Sequence, residues 1–218
     1  MFRSAGCALI RILIADDHDV VRAGLRGFIE AHPKWEVVAE VGDGLEAIEK
    51  TIEAKPDIAV IDYSLPLANG LDVTREIRKR APKTEVLIFT MHDDEGLIQE
   101  LLKAGARGYL LKSDAKQHLV EAIETLAVHK PFFTAKVSKT LLDVHLTRSG
   151  GNNAILSTRE RQVLQLIAEG YTNKHIANLF NISLKTVETH RTAIMRKLDA
   201  SCTAELARYA VRNKIVEA

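Results

Sequence analysis

The first 129 residues alternate short apolar runs with amphipathic stretches, and this alternation constrains the fold more than any other feature. The runs are rich in Ile, Val and Leu and are continuous rather than strictly alternating, which is typical of strands buried on both faces of a parallel sheet. They cover residues 9–15, 36–41, 57–61, 85–89 and 108–111. Helical patterns separate them, with apolar residues three or four positions apart. Five such units predict a doubly wound, flavodoxin-like α/β domain with strand order 2-1-3-4-5.

The rest of the chain does not continue this alternation of apolar runs and amphipathic stretches. Residues 130–153 open at Pro131 and close on Ser-Gly-Gly-Asn-Asn, which is typical of a linker, with room for a short helix at 136–146. The tail is predicted to be all α, with Ser157 and Glu160 forming a capping box and Gly170 ending a helix. Its four predicted helices cover 157–168, 172–180, 183–198 and 203–213. The predicted domains are therefore 10–129 and 154–218, joined by the linker 130–153.

Composition excludes several classes of protein. Hydrophobic residues make up 46% and charged residues 27% of the chain, as in an ordinary protein with a packed core. No apolar run approaches the roughly 18 residues of a membrane span. Two cysteines, Cys7 and Cys202, are too far apart to indicate a metal motif or a disulfide framework, so we expect a reducing cytoplasm.

The net charge of +1 conceals an asymmetry along the chain. Residues 1–129 hold 16 Lys and Arg against 22 Asp and Glu, whereas residues 150–218 hold 10 against 6. An acidic front and a basic tail favour two domains with different partners, and the tail is the candidate for a polyanion such as nucleic acid.

Polar residues follow four of the predicted strands at the edge where a doubly wound sheet binds its ligands. Asp16 and Asp17 follow the first strand, Asp62 the third, Thr90 the fourth and Lys112 the fifth. Each has a simpler interpretation alone, because an aspartate after a strand is often a helix N-cap, a threonine a turn residue and a lysine a solvated charge. Their coincidence at successive strand ends favours one shared pocket.

Three carboxylates in one pocket repel each other unless a cation neutralises them. Magnesium accepts carboxylates, a carbonyl and waters, so the pattern predicts a Mg²⁺ site. Beside such a cation one carboxylate can attack a phosphoryl group while a lysine neutralises the phosphoryl oxygens. Asp62 is the predicted nucleophile, because it stands alone on the central strand opposite Lys112 and Thr90.

Residues 10–128 resemble the receiver domain of two-component response regulators. The supporting stretches are residues 12–18, 57–66, 69–70, 89–93 and 105–112. The resemblance implies that Asp62 accepts the phosphoryl group, and that Asp17, Asp62 and the Ser64 carbonyl hold Mg²⁺, with Asp16 reaching it directly or through water. It further implies that Lys112 and Thr90 contact the phosphoryl oxygens, and that Tyr109 turns inward when Thr90 moves. A half-buried strand tyrosine with a hydrated hydroxyl is the alternative for Tyr109.

The third tail helix is amphipathic. Val187, Ile194 and Leu198 share one stripe, whereas the opposite face carries cations and short polar groups: Lys185, Thr189, Thr192 and Arg196, flanked by Glu188. With the preceding helix it has helix-turn-helix proportions, and the polar face suits the major groove. A packing helix with a solvated face is the simpler alternative.

Residues 155–214 resemble the LuxR-type DNA-binding domain of NarL/FixJ regulators, through residues 156–170, 172–177, 182–191 and 194–198. The resemblance implies that Glu188, Thr189 and Thr192 approach bases. Phosphate contacts or scaffold support are implied for Asn173, Lys174, Lys185, His190, Arg191 and Arg196, and Thr186 belongs to the same DNA-binding set. The histidines His18, His175 and His190 are interpreted as structural or phosphate-contacting rather than as metal ligands.

Together these features predict a phosphorylation-controlled transcription factor. A sensor histidine kinase would phosphorylate Asp62, and the chain would then act as a homodimer on double-stranded promoter DNA, with RNA polymerase as a further partner and no membrane association. One alternative is a DNA-binding regulator whose receiver acts without phosphate, through protein contacts or a ligand. Another is a metal-dependent phosphatase, which would need a general acid beside Asp62 that Ser64 does not provide.

Overall fold

The computed structural model describes residues 9–134, 137–138 and 155–216. Six strands are described: β1 (Ile10–Ala15), β2 (Trp35–Val41), β3 (Ile58–Ile61), β4 (Glu85–Thr90), β5 (Gly108–Leu111) and β6 (Phe132–Phe133). Five α-helices of the front domain are described, namely α1 (Asp19–Glu30), α2 (Gly44–Ala54), α3 (Gly70–Arg80), α4 (Glu95–Ala104) and α5 (Ala115–Ala127), and a short 3-10 helix covers Lys112–Asp114. Four belong to the tail: α6 (Thr158–Ala168), α7 (Asn173–Leu179), α8 (Leu184–Leu198) and α9 (Thr203–Arg212).

The sheet is parallel and has the order β2-β1-β3-β4-β5-β6. The predicted order 2-1-3-4-5 is therefore confirmed, and a sixth strand extends it. β6 pairs Phe132 with Gly108 and Phe133 with Tyr109. A two-residue strand has no periodicity to read, so the sequence pattern placed this segment in the linker. The predicted helix at 136–146 lies almost wholly outside the described residues.

The sheet separates two apolar cores, which is why its strands read as continuous apolar runs. Leu13, Ile61 and Ile88 face the core beneath α2, α3 and α4. Ile12 and Val60, one position away on the same strands, face the core beneath α1 and α5. Alternate residues of each strand therefore pack into opposite cores. The carboxyl ends of the strands lie outside both cores, where a ligand site can form.

Local sequence accounts for the tail helices. Ser157 accepts the Glu160 amide hydrogen while the Glu160 carboxylate accepts the Ser157 amide hydrogen, so the predicted capping box is confirmed. Gly170 has φ of 90°, a left-handed conformation that a glycine adopts without strain after a helix. The helices enclose a separate apolar core that includes Leu164, Val187 and Ile194.

The two domains are in contact at the loop between β3 and α3. Leu67 of this loop packs against the tail core, and α6 approaches the loop backbone. Within the described ranges, no helix combines the length and apolar character that a membrane span needs.

Candidate functional site

The predicted pocket forms at the carboxyl edge of the sheet. Lys112 lies between two buried carboxylates, with its Nζ 2.7 Å from Asp16 Oδ2 and 2.9 Å from Asp62 Oδ2. Asp62 Oδ1 accepts the Tyr63 amide hydrogen at 2.7 Å. Residues from β1, β3 and β5 thus meet because parallel neighbouring strands end at one edge.

Burial and charge act against each other at this pocket. Burial raises the pKa of Asp62, and the Lys112 ammonium opposes that effect only in part. Burial lowers the pKa of Lys112, but hydrogen bonds to Asp16 and Asp62 outweigh it and hold the pKa above the ordinary value. The lysine therefore stays cationic beside a carboxylate that gains from a cation or an electrophile.

The acids have donor oxygens placed for a divalent ion. Asp16, Asp17 and Asp62 each offer a carboxylate oxygen, and these atoms lie with a ring nitrogen of His18 within 4.8 Å of one another. Three hard oxygen donors fit magnesium, so the donor chemistry agrees with the predicted site. The helix-cap alternative fails for Asp16 and Asp17, because the N-cap of α1 is His18, whose side chain makes no capping bond.

His18 lies at the exposed rim of this cluster. Its Nδ1 is 2.7 Å from Asp17 Oδ1 and 3.4 Å from Asp16 Oδ1, and its backbone N–H donates to Asp16 Oδ1. These contacts orient the two acids. The interpretation that His18 is not itself a metal ligand stays a prediction, as does the Ser64 carbonyl as a ligand.

Thr90 and Tyr109 are both buried beside the pocket, and both bond to His92. The Thr90 hydroxyl accepts the His92 amide hydrogen at 3.3 Å, and the Tyr109 hydroxyl donates to the His92 carbonyl at 2.7 Å. The Tyr109 ring is fully buried and its hydroxyl is bonded to protein, contrary to the half-buried alternative. The predicted switch roles of Thr90 and Tyr109 remain predictions.

His92 is a residue that the sequence pattern did not single out. Its Nε2 lies 3.0 Å from Ser64 Oγ, and its ring meets the Tyr63 ring edge-on at 5.4 Å between centroids. His92 thus joins the loop after β4 to the loop after β3. Its position two residues beyond Thr90, at a strand end, was the only available signal.

The polar face of α8 is exposed. Lys185, Glu188, Thr189, Thr192 and Arg196 line a shallow depression of about 440 Å³ with Ala193. Thr189 and Thr192 donate their hydroxyls to carbonyls one helical turn earlier, so each presents its methyl group and a hydroxyl lone pair outward. This face matches the predicted set.

The remaining residues of the predicted DNA-binding set divide into exposed and supporting positions. Lys174 and Thr186 are exposed, and Thr186 takes part in the N-cap of α8 through Ser183. Arg191 is half-buried and donates to Asn173 Oδ1 and to Thr203 Oγ1. It therefore ties α8 to α7 and α9 rather than projecting freely. His190 is half-buried as well.

Two family models match the chain. The "Response regulator receiver domain" matches residues 12–124, and "Bacterial regulatory proteins, luxR family" matches residues 154–210. Oxygen regulatory protein NreC of Staphylococcus epidermidis is 39% identical over 217 residues, covering 95% of this chain and 100% of that protein.

Solved structures agree with the family models. A LuxR-family two-component response regulator from Aurantimonas is 36% identical, covers 64% of this chain and 99% of its own, and has a TM-score of 0.60. The two-component response regulator RcsB in complex with DNA is 27% identical, covers 92% of this chain and 97% of its own, and has a TM-score of 0.59. The acidic strand-edge pocket, the helix-turn-helix tail and these matches agree, and the chain belongs to the LuxR-type, NarL/FixJ two-component response regulators, which are DNA-binding regulators rather than turnover enzymes.

Proposed function

We propose that this chain is a transcription factor switched by phosphorylation of Asp62. One observation carries the proposal: Lys112 Nζ contacts both the Asp16 and the Asp62 carboxylates in a buried pocket at the carboxyl ends of three parallel strands. A fixed cation beside a carboxylate is the arrangement that stabilises a transferring phosphoryl group.

In the proposed reaction, a carboxylate oxygen of Asp62 attacks the phosphorus of a phosphohistidine on a sensor kinase. The new O–P bond forms as the P–N bond to the imidazole breaks, and the imidazole nitrogen takes up a proton. Lys112 neutralises a phosphoryl oxygen, and the Thr90 hydroxyl turns to donate to another. Their charge and hydrogen bonding lower the barrier because the oxygens bear the developing negative charge.

Asp16, Asp17, Asp62 and the Ser64 carbonyl would hold Mg²⁺ at this pocket. The ion, when bound, supplies charge neutralisation to the phosphoryl oxygens. The chain's own part is to bring the three acids together, and His18 contributes by orienting Asp16 and Asp17. Tyr109 would respond to Thr90 through their shared partner His92.

The output is proposed to be sequence-specific binding of promoter DNA by a homodimer. The exposed polar face of α8 supports this role, with Glu188, Thr189 and Thr192 reading bases and Lys185 and Arg196 holding phosphates. Contact with RNA polymerase would follow on the promoter. A cytoplasmic location suits a chain with two widely separated cysteines.

Labelling with acetyl phosphate tests the acceptor. We expect the wild-type chain to gain one phosphoryl group in magnesium buffer, measured by intact-protein mass spectrometry and by mobility on a phosphate-affinity gel. Asp62→Asn should abolish the modification, because an amide does not act as the nucleophile. Chelation of magnesium should abolish it in the wild-type chain.

A matched control is Asp57→Asn, which removes an exposed aspartate just before the same strand. This variant should be labelled like the wild type. Persisting modification of Asp62→Asn would move the acceptor elsewhere, and labelling that survives chelation would contradict the cation role. A chain that is never labelled yet binds its promoter would support the phosphorylation-independent alternative.

A further inference from the structure

Each described strand of the receiver sheet has a cation within three residues of its first residue. The six strands are parallel, so their starts lie along one edge of the sheet, opposite the acidic pocket. We call this edge the amino edge. In the order β2-β1-β3-β4-β5-β6, its cations are Lys34, Arg11, Lys55, Lys83, Arg107 and Lys130.

Backbone hydrogen bonds show that these strand starts are adjacent. The Asp57 amide donates to the Arg11 carbonyl at 2.8 Å, and the Phe132 amide donates to the Arg107 carbonyl at 2.9 Å. Neighbouring strands lie about 4.8 Å apart, so the amino edge spans about 24 Å. A DNA duplex has one negative charge per about 1.7 Å of its axis, so several phosphates fit along such an edge.

The arginines of the amino edge are used within the fold. Arg11 Nη1 donates to the Lys55 carbonyl at the end of α2, at 3.2 Å. Arg107 Nη2 donates to the His129 carbonyl just beyond α5, at 2.6 Å. Cations at the carboxyl ends of helices stabilise the helix dipole. These two guanidinium groups therefore have a structural role without any ligand.

The lysines of the amino edge have no such role. Lys34, Lys83 and Lys130 are exposed, and none of them forms an ion pair with another described residue. Lys79 and Arg80, in the last turn of α3, add exposed charge close to Lys83 in sequence. Solvated like charges that are close together repel each other unless an anion binds between them.

Nearby acids neutralise only one half of the amino edge. Glu36 and Asp57 are exposed at the starts of β2 and β3. Glu85, at the start of β4, is 4% exposed and so lies beneath the surface. The stretches 79–84, 103–107 and 128–131, which precede β4, β5 and β6, contain no acid. Their cations are Lys79, Arg80, Lys83, Lys103, Arg107 and Lys130.

The rest of the receiver would repel a polyanion. Residues 1–129 hold 16 Lys and Arg against 22 Asp and Glu, so a concentrated basic edge on this domain is an exception. A duplex held by the tail is at high effective concentration near the receiver, so a few weak phosphate contacts suffice to add affinity. A membrane surface or an acidic protein would meet the amino edge without this tether. DNA is therefore the partner that the arrangement favours.

We propose that the amino edge, centred on Lys83 and Lys130, binds the phosphate backbone of DNA that flanks the site held by the tail. The proposal rests on the proposed DNA binding by the tail. Lysine ammonium groups on flexible stems contact phosphates as point charges and do not read bases. The amino edge therefore adds affinity and salt dependence to DNA binding, and no sequence preference.

The test uses the full chain and a site that this chain selects from a library of randomised duplexes. The site is placed in a short duplex that carries little else, and in a long duplex with about 30 base pairs added on each side, well beyond the roughly seven base pairs that the edge spans. Fluorescence anisotropy at several salt concentrations gives the affinity for each duplex and the slope of log affinity against log salt.

The double variant Lys83→Gln/Lys130→Gln removes two exposed charges and keeps polar side chains. On the long duplex its slope should be less steep than that of the wild type by up to about 2, because each lost phosphate contact removes about 0.9. On the short duplex its slope should equal that of the wild type. The matched control is Lys50→Gln/Lys116→Gln, which changes the net charge equally at α2 and at the start of α5. This control should behave like the wild type on both duplexes.

Hydroxyl-radical footprinting supplies a second measurement. The wild type should protect backbone positions outside the selected site on the long duplex, whereas the double variant should protect the site alone. The control should keep the wild-type footprint. A general loss of folding would weaken protection within the site as well, so the footprint distinguishes a lost flank contact from a damaged protein.

Three outcomes would decide against the proposal in different ways. Equal slopes and equal footprints of the double variant and the wild type on the long duplex would overturn the flank contact and leave DNA binding by the tail standing. Failure of the full chain to select any duplex would count against the proposed function itself. Sedimentation of the wild type, but not of the double variant, with phosphatidylglycerol vesicles, together with equal binding of the long duplex, would assign the amino edge to a lipid surface instead.

Discussion

Replacing Asp72 with asparagine is expected to stabilise the receiver domain at neutral pH. The Asp72 side chain is fully buried in the first turn of α3, where Arg75 Nη1 lies 3.2 Å from Oδ1. Its Oδ2 is buried without a hydrogen-bond partner among the described residues. Burial raises the pKa of Asp72 from 3.8 to about 6, and the guanidinium of Arg75 offsets only part of that effect.

The pH dependence follows from the direction of this pKa shift. Well below pH 3.8 the carboxyl is protonated in both the folded and unfolded states and carries no penalty. Between 3.8 and about 6 the unfolded chain releases the proton while the folded chain keeps it, so the stability falls as the pH rises. Each pKa unit is worth about 1.4 kcal/mol, so the loss approaches about 3 kcal/mol above pH 6.

The asparagine variant has no ionisable group at this position, so its stability does not fall with pH in this way. It loses the favourable charge of an acid near a helix N-terminus, worth about 0.3–1 kcal/mol, so the net gain at pH 7 is about 2 kcal/mol. At pH 4 the gain should fall to well under 1 kcal/mol, because the unfolded carboxyl is then only partly ionised. Urea unfolding followed by the fluorescence of Trp35, the single tryptophan, reports on the receiver alone, because Trp35 is buried at the start of β2 in the core beneath α1 and α5.

The control is Glu46→Gln, which neutralises an exposed acid in the first turn of α2. It should change the free energy of unfolding little at either pH. If Asp72→Asn and the wild type show the same urea midpoint at pH 7, or lose stability in parallel between pH 4 and pH 7, then the ionised Asp72 carboxylate does not destabilise the receiver domain.

Two further predictions concern the tail. Thr189→Ala should relax the sequence preference of DNA binding more than the overall affinity, whereas Lys185→Ala should weaken binding to every duplex and flatten the dependence of affinity on salt. Fluorescence anisotropy with cognate and scrambled duplexes at several salt concentrations measures both effects. An unchanged sequence preference in Thr189→Ala would mean that the recognition face is misplaced. Lys197→Met should destabilise the tail by about 0.5–1.5 kcal/mol, because Glu160 keeps its bond from the Ser157 amide but loses the partly exposed ammonium that lies 2.7 Å away. Thermal unfolding followed by circular dichroism measures the change, and an unaltered melting temperature of the tail would show that the pair contributes nothing.

The candidate pocket was predictable because the position of each residue relative to its own strand is a local property. Asp16, Asp62 and Lys112 each follow an apolar run, and a parallel sheet brings the ends of its strands to one edge. The burial of Tyr109 was not decided by its strand pattern, which also allowed a hydrated hydroxyl. The bond from its hydroxyl to the His92 carbonyl belongs to a loop whose path no periodicity describes.

The sequence by itself was sufficient for the strand order, for the capping box of Ser157 and Glu160, and for the placement of Asp16, Asp62 and Lys112 at strand ends. Hydrophobic period, capping pairs and strand-end polar groups act over a few residues, so they can be read along the chain. Only the tertiary structure decided that β6 extends the sheet, that His92 connects two loops, and that Gln165 bonds to a loop backbone 100 residues earlier. Those contacts depend on how distant segments pack together. No local sequence pattern around a buried glutamine in a helix indicates the distant carbonyl and amide groups to which it bonds.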